Sequence, residues 1–410
     1  MMDTSEKIYI VGAGISGLIA AKTLEEKGFH PVILEASEAP GGRVKTNSED
    51  GINFDHGFQV LLTAYPQAQK HLDYQALKLR YFKPGALIFA RGGSHRIGDP
   101  FRDPGSLLPT LFSPVGTLSD KWKIFRLSST LRKKSIAEIF NTPEKSTLEY
   151  LQERGFSDRI IRSFFRPFFA GIFLEDALRT SSRMFEFVFK MFSEGYAALP
   201  ENGIGAISTQ LAGRLENTEM RYNQPVEKVQ KGSVFLENGD TLSADATLVT
   251  VPINPETGKL QSGKVKWKRC DNLYFTVEKR TFSEGIIGLV AEEASLVNNL
   301  HYLPGQSLDG KPVLSVTVVK DHKLDAEALE KKVSQDLETY CGIKVVRLLR
   351  HFPIEQALPD LSAVQMTLPS GTPPVMDKVY LAGDYLLNGS LNAAMASGEA
   401  AAGQLLRDLT

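Results

Sequence analysis

Residues 7–43, KIYIVGAGISGLIAAKTLEEKGFHPVILEASEAPGGR, constrain this chain more than any other stretch. Residues 8–11 are a short, continuous apolar run, the pattern of a strand buried on both faces of a parallel sheet. Gly12, Gly14 and Gly17 follow at G-x-G-x-x-G spacing, and residues 15–27 then read as a helix that Gly28 closes. Residues 32–34 form a second apolar strand that delivers Glu35 at its C-terminal end. Each position has a physical task. Gly12 allows the tight strand-to-helix turn, Gly14 lets the backbone approach a pyrophosphate, and Gly17 permits close helix–strand packing. The free N–H groups and positive dipole end of the helix meet the phosphate charge. Glu35 is placed to accept hydrogen bonds from both ribose hydroxyls of an adenosine, and it excludes a 2′-phosphate. A glycine triplet alone is weak evidence; strand, helix, strand and acid in order make a dinucleotide-binding unit.

The chain of 410 residues is long enough for two or three domains with sizeable cores. Its net charge of −1 gives no general attraction to nucleic acid, so no nucleic-acid partner is expected. Cys270 and Cys341 are the two cysteines, too far apart for a metal-ligand spacing or a disulfide framework. Residues 8–21 are not a signal-peptide core, because acids precede them and the glycines interrupt them. No run reaches the roughly 18 apolar residues of a spanning helix. A cytoplasmic protein is expected.

After Glu35 comes Pro40-Gly41-Gly42-Arg43, a loop able to fold back over a pyrophosphate, with Arg43 supplying charge-assisted hydrogen bonds. Residues 54–66 read FDHGFQVLLTAYP. With GAGISG and LEASEAPGGR, this resembles the superfamily of flavin-dependent amine oxidases, protoporphyrinogen oxidases and phytoene desaturases. GFQVLLTAYP is most similar to the plant- and cyanobacterial-type carotenoid desaturases, in which such a segment lies against the flavin ring. The far end of the chain fits the same pattern. Residues 379–382 read as a strand, Gly383-Asp384 sits at its end, and residues 390–408 read as a helix. LAGDYLLNGSLNAAMASGEAAAGQLL matches the family's terminal flavin motif. Asp384 is placed to bind ribityl or pyrophosphate groups. The helix start at Leu391-Asn392 would aim N–H groups at the flavin edge where negative charge builds on reduction.

The resemblance implies non-covalent FAD. Beyond Gly12, Gly14, Gly17, Glu35, Arg43, Asp384, Leu391 and Asn392, it adds Ser16, Ala36, Gly42, Gly57, Phe58, Gln59 and Gly383 to the cofactor-binding set. It also adds Val226, whose backbone would pair with adenine. The fold implied is α/β: a Rossmann-type FAD-binding domain of p-hydroxybenzoate-hydroxylase-like topology with an inserted α+β substrate domain. Residues 1–65, 196–264 and 350–410 would form the first domain, and residues 66–195 and 265–349 the second.

Between the two ends the chain changes character. Residues 66–190 read as longer helical patterns; residues 104–112 read as an apolar loop. Residues 121–134, KWKIFRLSSTLRKK, form a basic segment with interleaved Trp122, Ile124, Phe125, Leu127 and Leu131. Such a helix either lies in a lipid headgroup region or packs on its own domain with solvated lysines. The resemblance implies a peripheral membrane contact here. Ser146 and Glu149 stand at capping-box positions. Phenylalanines crowd residues 163–192, as core or as the wall of an apolar cavity. Residues 197–205 read as a helix entry, since Pro200 leaves no room for the strand that a second dinucleotide site needs. Strands are expected within residues 222–236, 246–251, 272–277, 285–291, 313–319 and 344–349, a helix over 325–339, and a proline-punctuated loop over 351–374.

No metal constellation, phosphate loop or nucleophile elbow occurs, and no catalytic residue stands out. His56 and His301 are the histidines of interest, each also readable as structural. A flavin takes a hydride with little help when the protein aligns the substrate and keeps water out. Amine oxidases of the superfamily place a lysine beside the flavin in a Tyr-Tyr-Lys-like strand; the matching stretch here, Tyr274-Phe275-Thr276, carries Thr276. The expectation is therefore an FAD-dependent oxidoreductase that dehydrogenates or isomerises a hydrophobic, isoprenoid- or carotenoid-like small molecule, with quinone or oxygen as electron acceptor. A protoporphyrinogen-type oxidase, an amine oxidase and a non-catalytic flavin- or lipid-binding protein are the alternatives.

Overall fold

The structure, a computed structural model, describes residues 6–90, 92–99, 102–260, 265–368 and 374–409. Five parallel strands form one sheet, in the order Glu219–Arg221, Val32–Leu34, Ile8–Val11, Ala246–Val249 and Val379–Leu381. Its strands thus come from the beginning, middle and end of the chain. Ile10 lies between Ile33 and Leu248 and is fully buried. Alternation sends Ile8, Ile10, Ile33 and Leu248 to one face and Tyr9, Val11 and Val249 to the other. The first face packs on helix Ile15–Glu25 and on the terminal helix Leu391–Leu409. The second packs on an antiparallel sheet of Val226–Gln230, Ser233–Leu236 and Thr241–Ser243. Coverage on both faces is why these strands read as unbroken apolar runs. This is the α/β, Rossmann-type arrangement expected.

A second sheet has seven strands: Val345–Pro359, Trp267–Val277, Lys311–Val318, Val297–Leu308, Ile287–Val290, Gly85–Ala90 and Gly93–Gly98, in that order. All neighbours are antiparallel except Ile287–Val290 beside Gly85–Ala90. Leu273, Phe275 and Val277 pack on helix Ala326–Cys341 through Leu329, Val333 and Leu337. The alternate residues of that strand point to the opposite face.

Several expectations need correction. Residues 351–359 are strand and not loop; Pro353 and Pro359 are tolerated because Val345–Pro359 is an edge strand. The hairpin Gly85–Ala90 and Gly93–Gly98 breaks the helical reading of residues 66–190 and joins the seven-stranded sheet. Residues 104–112 form a 3₁₀ turn and helix Leu107–Phe112. Ala197–Leu199 is a strand pairing with Leu61–Leu62 and Arg80–Tyr81, and the helix begins only at Ala206.

Helices Leu118–Lys133, Thr147–Glu153, Arg166–Phe173 and Ser182–Glu194 build the intervening lobe. Ser146 and Glu149 form the expected capping box, and Thr117 with Asp120 and Ser135 with Glu138 form two more. Each such cap is worth about 1 kcal/mol. Phe165, Phe169, Phe173, Phe185 and Phe187 are fully buried core.

Candidate cofactor and substrate site

A cavity of about 840 Å³ runs from the parallel sheet to the aromatic helices, near the top of the usual ligand-cavity range of roughly 300–1,000 Å³. Gly12, Glu35, Thr250 and Gly383 enter its wall just beyond the C-terminal ends of four parallel strands, the edge where open α/β sheets hold ligands.

Gly12 has φ 99°, and a Cβ there would lie 2.6 Å from Thr250 Oγ1. Gly17 stays outside the cavity; its Cβ would overlap the Gly12 carbonyl, so it is a packing glycine. Gly14 has open space where a Cβ would stand. The Gly41 N–H donates to Ala13 O at 3.0 Å, which lays the Gly41-Gly42-Arg43 loop beside the glycine turn. Glu35 Oε2 accepts the Ala13 N–H at 2.7 Å, and Oε1 accepts the Ser37 N–H at 2.9 Å and hydroxyl at 2.7 Å. This carboxylate therefore braces the turn besides facing the cavity. Ser16 lines the cavity and donates to Ala394 O at 2.8 Å, tying the first helix to the last.

Four expected residues are not brought to the wall: Gly17, Ala36, Val226 and Asn392. Ala36 is exposed, and Val226 is buried opposite Leu236 in the antiparallel sheet.

Arg43 and Asp384, expected to act separately, form a bidentate pair across the full length of the chain. Arg43 Nη1 donates to Asp384 Oδ2 at 3.0 Å and Nη2 to Oδ1. Burial opposes the guanidinium charge, but the Asp384 carboxylate outweighs it and Arg43 lies above its ordinary pKa. The pair uses two of five guanidinium N–H donors. The same guanidinium lies 5.0 Å over the Trp267 ring. Gly42, Gly57, Phe58 and Gln59 line the cavity, and Gln59 Nε2 donates to Arg43 O at 2.7 Å. His56 lines it too, its ring tilted against that of Phe352 at 4.4 Å, its pKa lowered by burial and then by Lys45. His301 lies tilted against the Phe58 ring at 4.2 Å, outside the wall, where burial takes its pKa down to about 3 and keeps it neutral.

At the terminal helix, Ser390 Oγ accepts the Ala393 N–H at 3.0 Å. Leu391 lines the cavity. Asn392 is fully buried: its Oδ1 accepts the Gln67 N–H at 3.0 Å, while its Nδ2 has no partner. Gly383 needs to be glycine, since a Cβ would overlap the Tyr385 ring. An open glycine turn at one helix start, a second helix start at the far end, a cation between them, and the orphaned indole N–H of Trp267 in the wall fit an extended dinucleotide. Among the described residues, no cluster of His, Cys, Asp or Glu could hold a metal ion.

Thr276 does not line the cavity. Lys268 and Cys270, earlier on the same strand, do. Eight residues at about 3.3 Å each separate Thr276 from Lys268 by roughly 26 Å, so the two positions cannot serve the same part of the wall. Lys268 donates to Thr180 Oγ1 at 3.1 Å; burial lowers its pKa, partly offset by Glu175 and Asp360. Thr250, Val251, Pro252, Trp267, Lys268 and Ser390 are wall residues that sequence reasoning did not select. The end of a buried apolar run at Val251-Pro252 was the one available signal for the first three.

Beyond Leu174, which closes its helix at φ 50°, the cavity becomes aromatic and aliphatic through Phe168, Ile172, Phe173, Phe192, Ile287 and Leu289.

A family model for flavin containing amine oxidoreductases matches residues 15–406. Protoporphyrinogen oxidase 2, chloroplastic/mitochondrial, of Arabidopsis thaliana is 24% identical over 246 residues, 59% of this chain and 47% of that protein. The L-amino-acid oxidase BmooLAAO-I of Bothrops moojeni is 32% identical over 160 residues, 37% of this chain and 32% of that protein. The matches thus span less than half of these relatives. A solved putrescine oxidase with bound putrescine superposes with a TM-score of 0.70 at 16% identity, covering 98% of this chain and 99% of that one. At that identity it speaks for the fold.

Proposed function

The chain belongs to the flavin containing amine oxidoreductase family and is an FAD-dependent oxidoreductase; we propose that it dehydrogenates or isomerises a hydrophobic, isoprenoid-like substrate. The observation that carries this reading is the apolar far end of the cavity, continuous with the glycine turn and built from Phe168, Phe173, Phe192, Ile287 and Leu289. In the proposed assignment, Gly12, Gly14 and Glu35 hold the adenosine half of FAD. Gly42, Arg43 and Asp384 hold the pyrophosphate and ribityl, and Gly57, Phe58, Gln59, Leu391 and Asn392 hold the flavin end. Residues 1–65, 196–264 and 350–410 form the cofactor unit of this reading, except that strand Val345–Pro359 runs across its last boundary.

When bound, FAD supplies a two-electron acceptor. The chain's own work is to align and to dry. Arg43 and the terminal helix start offset negative charge, and the phenylalanine wall excludes water and fixes the substrate. Anaerobic titration with polyenes, porphyrinogens and amines, followed by bleaching of the visible flavin bands, tests the reading. Bleaching by polyenes supports it; bleaching by small amines alone overturns it. Lys268, partly buried in the cavity wall, favours that second reading, an amine oxidase. Reoxidation by quinone compared with oxygen then identifies the electron acceptor.

We propose that the surface around residues 107–126 contacts an anionic membrane. Seven of the eleven exposed large hydrophobic residues among those described fall in residues 107–125, including Leu108, Phe112 (78% exposed) and Trp122, beside Lys123 and Arg126. Helix Leu107–Phe112 buries no residue at all, and basic amphipathic surfaces bind anionic lipid. No helix among the described residues is long and apolar enough to cross a membrane. Sedimentation with anionic liposomes tests the contact; unchanged binding after replacement of Trp122, Lys123 and Arg126 removes it.

A further inference from the structure

The apolar end of the cavity has a polar floor. On the seven-stranded sheet, one cross-strand row reads Leu289, Asn299, Thr317, Asn272 and Phe352. Asn299 and Thr317, 3% and 2% exposed, reach the cavity wall, while Asn272 is fully buried behind them. Core positions of a sheet normally carry apolar side chains, and buried amides are kept only where their hydrogen bonds are made.

The bonds run in one direction. Asn298 Nδ2 donates to Asn299 Oδ1 at 3.0 Å, and Asn299 Nδ2 donates to Thr317 Oγ1 at 3.2 Å. Thr317 Oγ1 donates in turn to Asn272 Oδ1 at 3.0 Å, and Asn272 Nδ2 to Ser315 Oγ at 3.2 Å. The Thr317 hydroxyl proton is thereby spent. What the pair still offers is the second N–H of Asn299 and lone pairs on Asn299 Oδ1 and Thr317 Oγ1. Gly171 keeps the helix above from covering them: a Cβ there would stand 2.7 Å from Asn299 Oδ1.

We propose that Asn299 and Thr317 form a specificity anchor that binds a neutral oxygen function, a hydroxyl or carbonyl, on an otherwise apolar substrate. The anchor sets how deep the substrate enters and so which of its bonds meets the cofactor end of the cavity. The row carries no ionised side chain, so an ammonium or carboxylate there would be desolvated without a counter-charge. This rests on the apolar-substrate reading above and deepens it.

The test uses the FAD-loaded enzyme and two matched pairs of probes, farnesol with farnesene and decanol with decane. Dissociation constants are read from perturbation of the flavin absorbance. A single buried hydrogen bond is expected to favour each alcohol about tenfold over its hydrocarbon. Asn299→Leu and Thr317→Val should abolish that preference by weakening the alcohols and sparing the hydrocarbons; Thr317→Ser, which folds with the hydroxyl in place, should retain it. Loss of the preference in both pairs for the wild-type enzyme, or its persistence in Asn299→Leu, overturns the anchor. A preference confined to the decanol pair leaves the anchor standing and overturns the isoprenoid reading.

Discussion

Gly398, in the middle of the terminal helix, gives the sharpest test of how the site is held together. A Cβ there would overlap the Ser16 carbonyl oxygen and stand 3.0 Å from its carbon and 3.1 Å from Ser16 Cα. These are backbone atoms of the first helix and do not rotate away. Helix propensity alone says that Gly398→Ala stabilises by about 1 kcal/mol. Packing says the opposite. The two helices must part by on the order of 1 Å, at a cost of about 1–3 kcal/mol for overpacking. The 2.8 Å bond from Ser16 Oγ to Ala394 O stretches as well, at about 1 kcal/mol. Packing wins by about 1–3 kcal/mol. Because the shift also moves Leu391 and Asn392 relative to the glycine turn, FAD affinity should fall on the order of tenfold. Thermal unfolding of apo and FAD-loaded protein, with flavin titration of the apo form, measures both. A variant as stable as wild type with unchanged FAD affinity would refute the close crossing.

Three further outcomes are expected. Asp55 is buried, and its pKa is raised to about 6 by burial, against hydrogen bonds from Thr46 and Ile204. The folded state therefore holds the proton more tightly than the unfolded chain, and stability falls as pH rises from about 4 through about 6, by at most roughly 3 kcal/mol; Asp55→Asn should flatten that part of the urea-midpoint profile relative to wild type. Glu35→Ala leaves the Ala13 N–H without its acceptor, so it should cost about 1–3 kcal/mol of stability and weaken FAD binding, read by denaturant unfolding and flavin titration. Asp384→Asn breaks a charge-assisted bidentate pair with Arg43 worth about 1.5–3 kcal/mol; the purified variant should lose flavin on gel filtration where wild type retains it.

Local patterns are legible wherever one segment carries its own explanation. The run at residues 8–11, the glycine spacing and Glu35 specified a parallel strand, a tight turn and a helix, because each rests on neighbours within one βαβ unit. Ser146 with Glu149 specified a helix start for the same reason. The second half of the long strand Val345–Pro359 was not legible, since its prolines suit a loop equally well. Only its place at the edge of the sheet makes them tolerable.

The sequence by itself determined the cofactor fold, since both ends of the chain carry motifs whose physics is local. Tertiary structure decided the rest. It paired Arg43 with Asp384, 341 residues away, and put Lys268, not Thr276, in the cavity wall. It laid Asn299 beside Thr317 through a register that no single strand encodes. Those relations depend on which strands meet and how far each slides along its neighbour, and one residue of slip would turn every side chain to the other face.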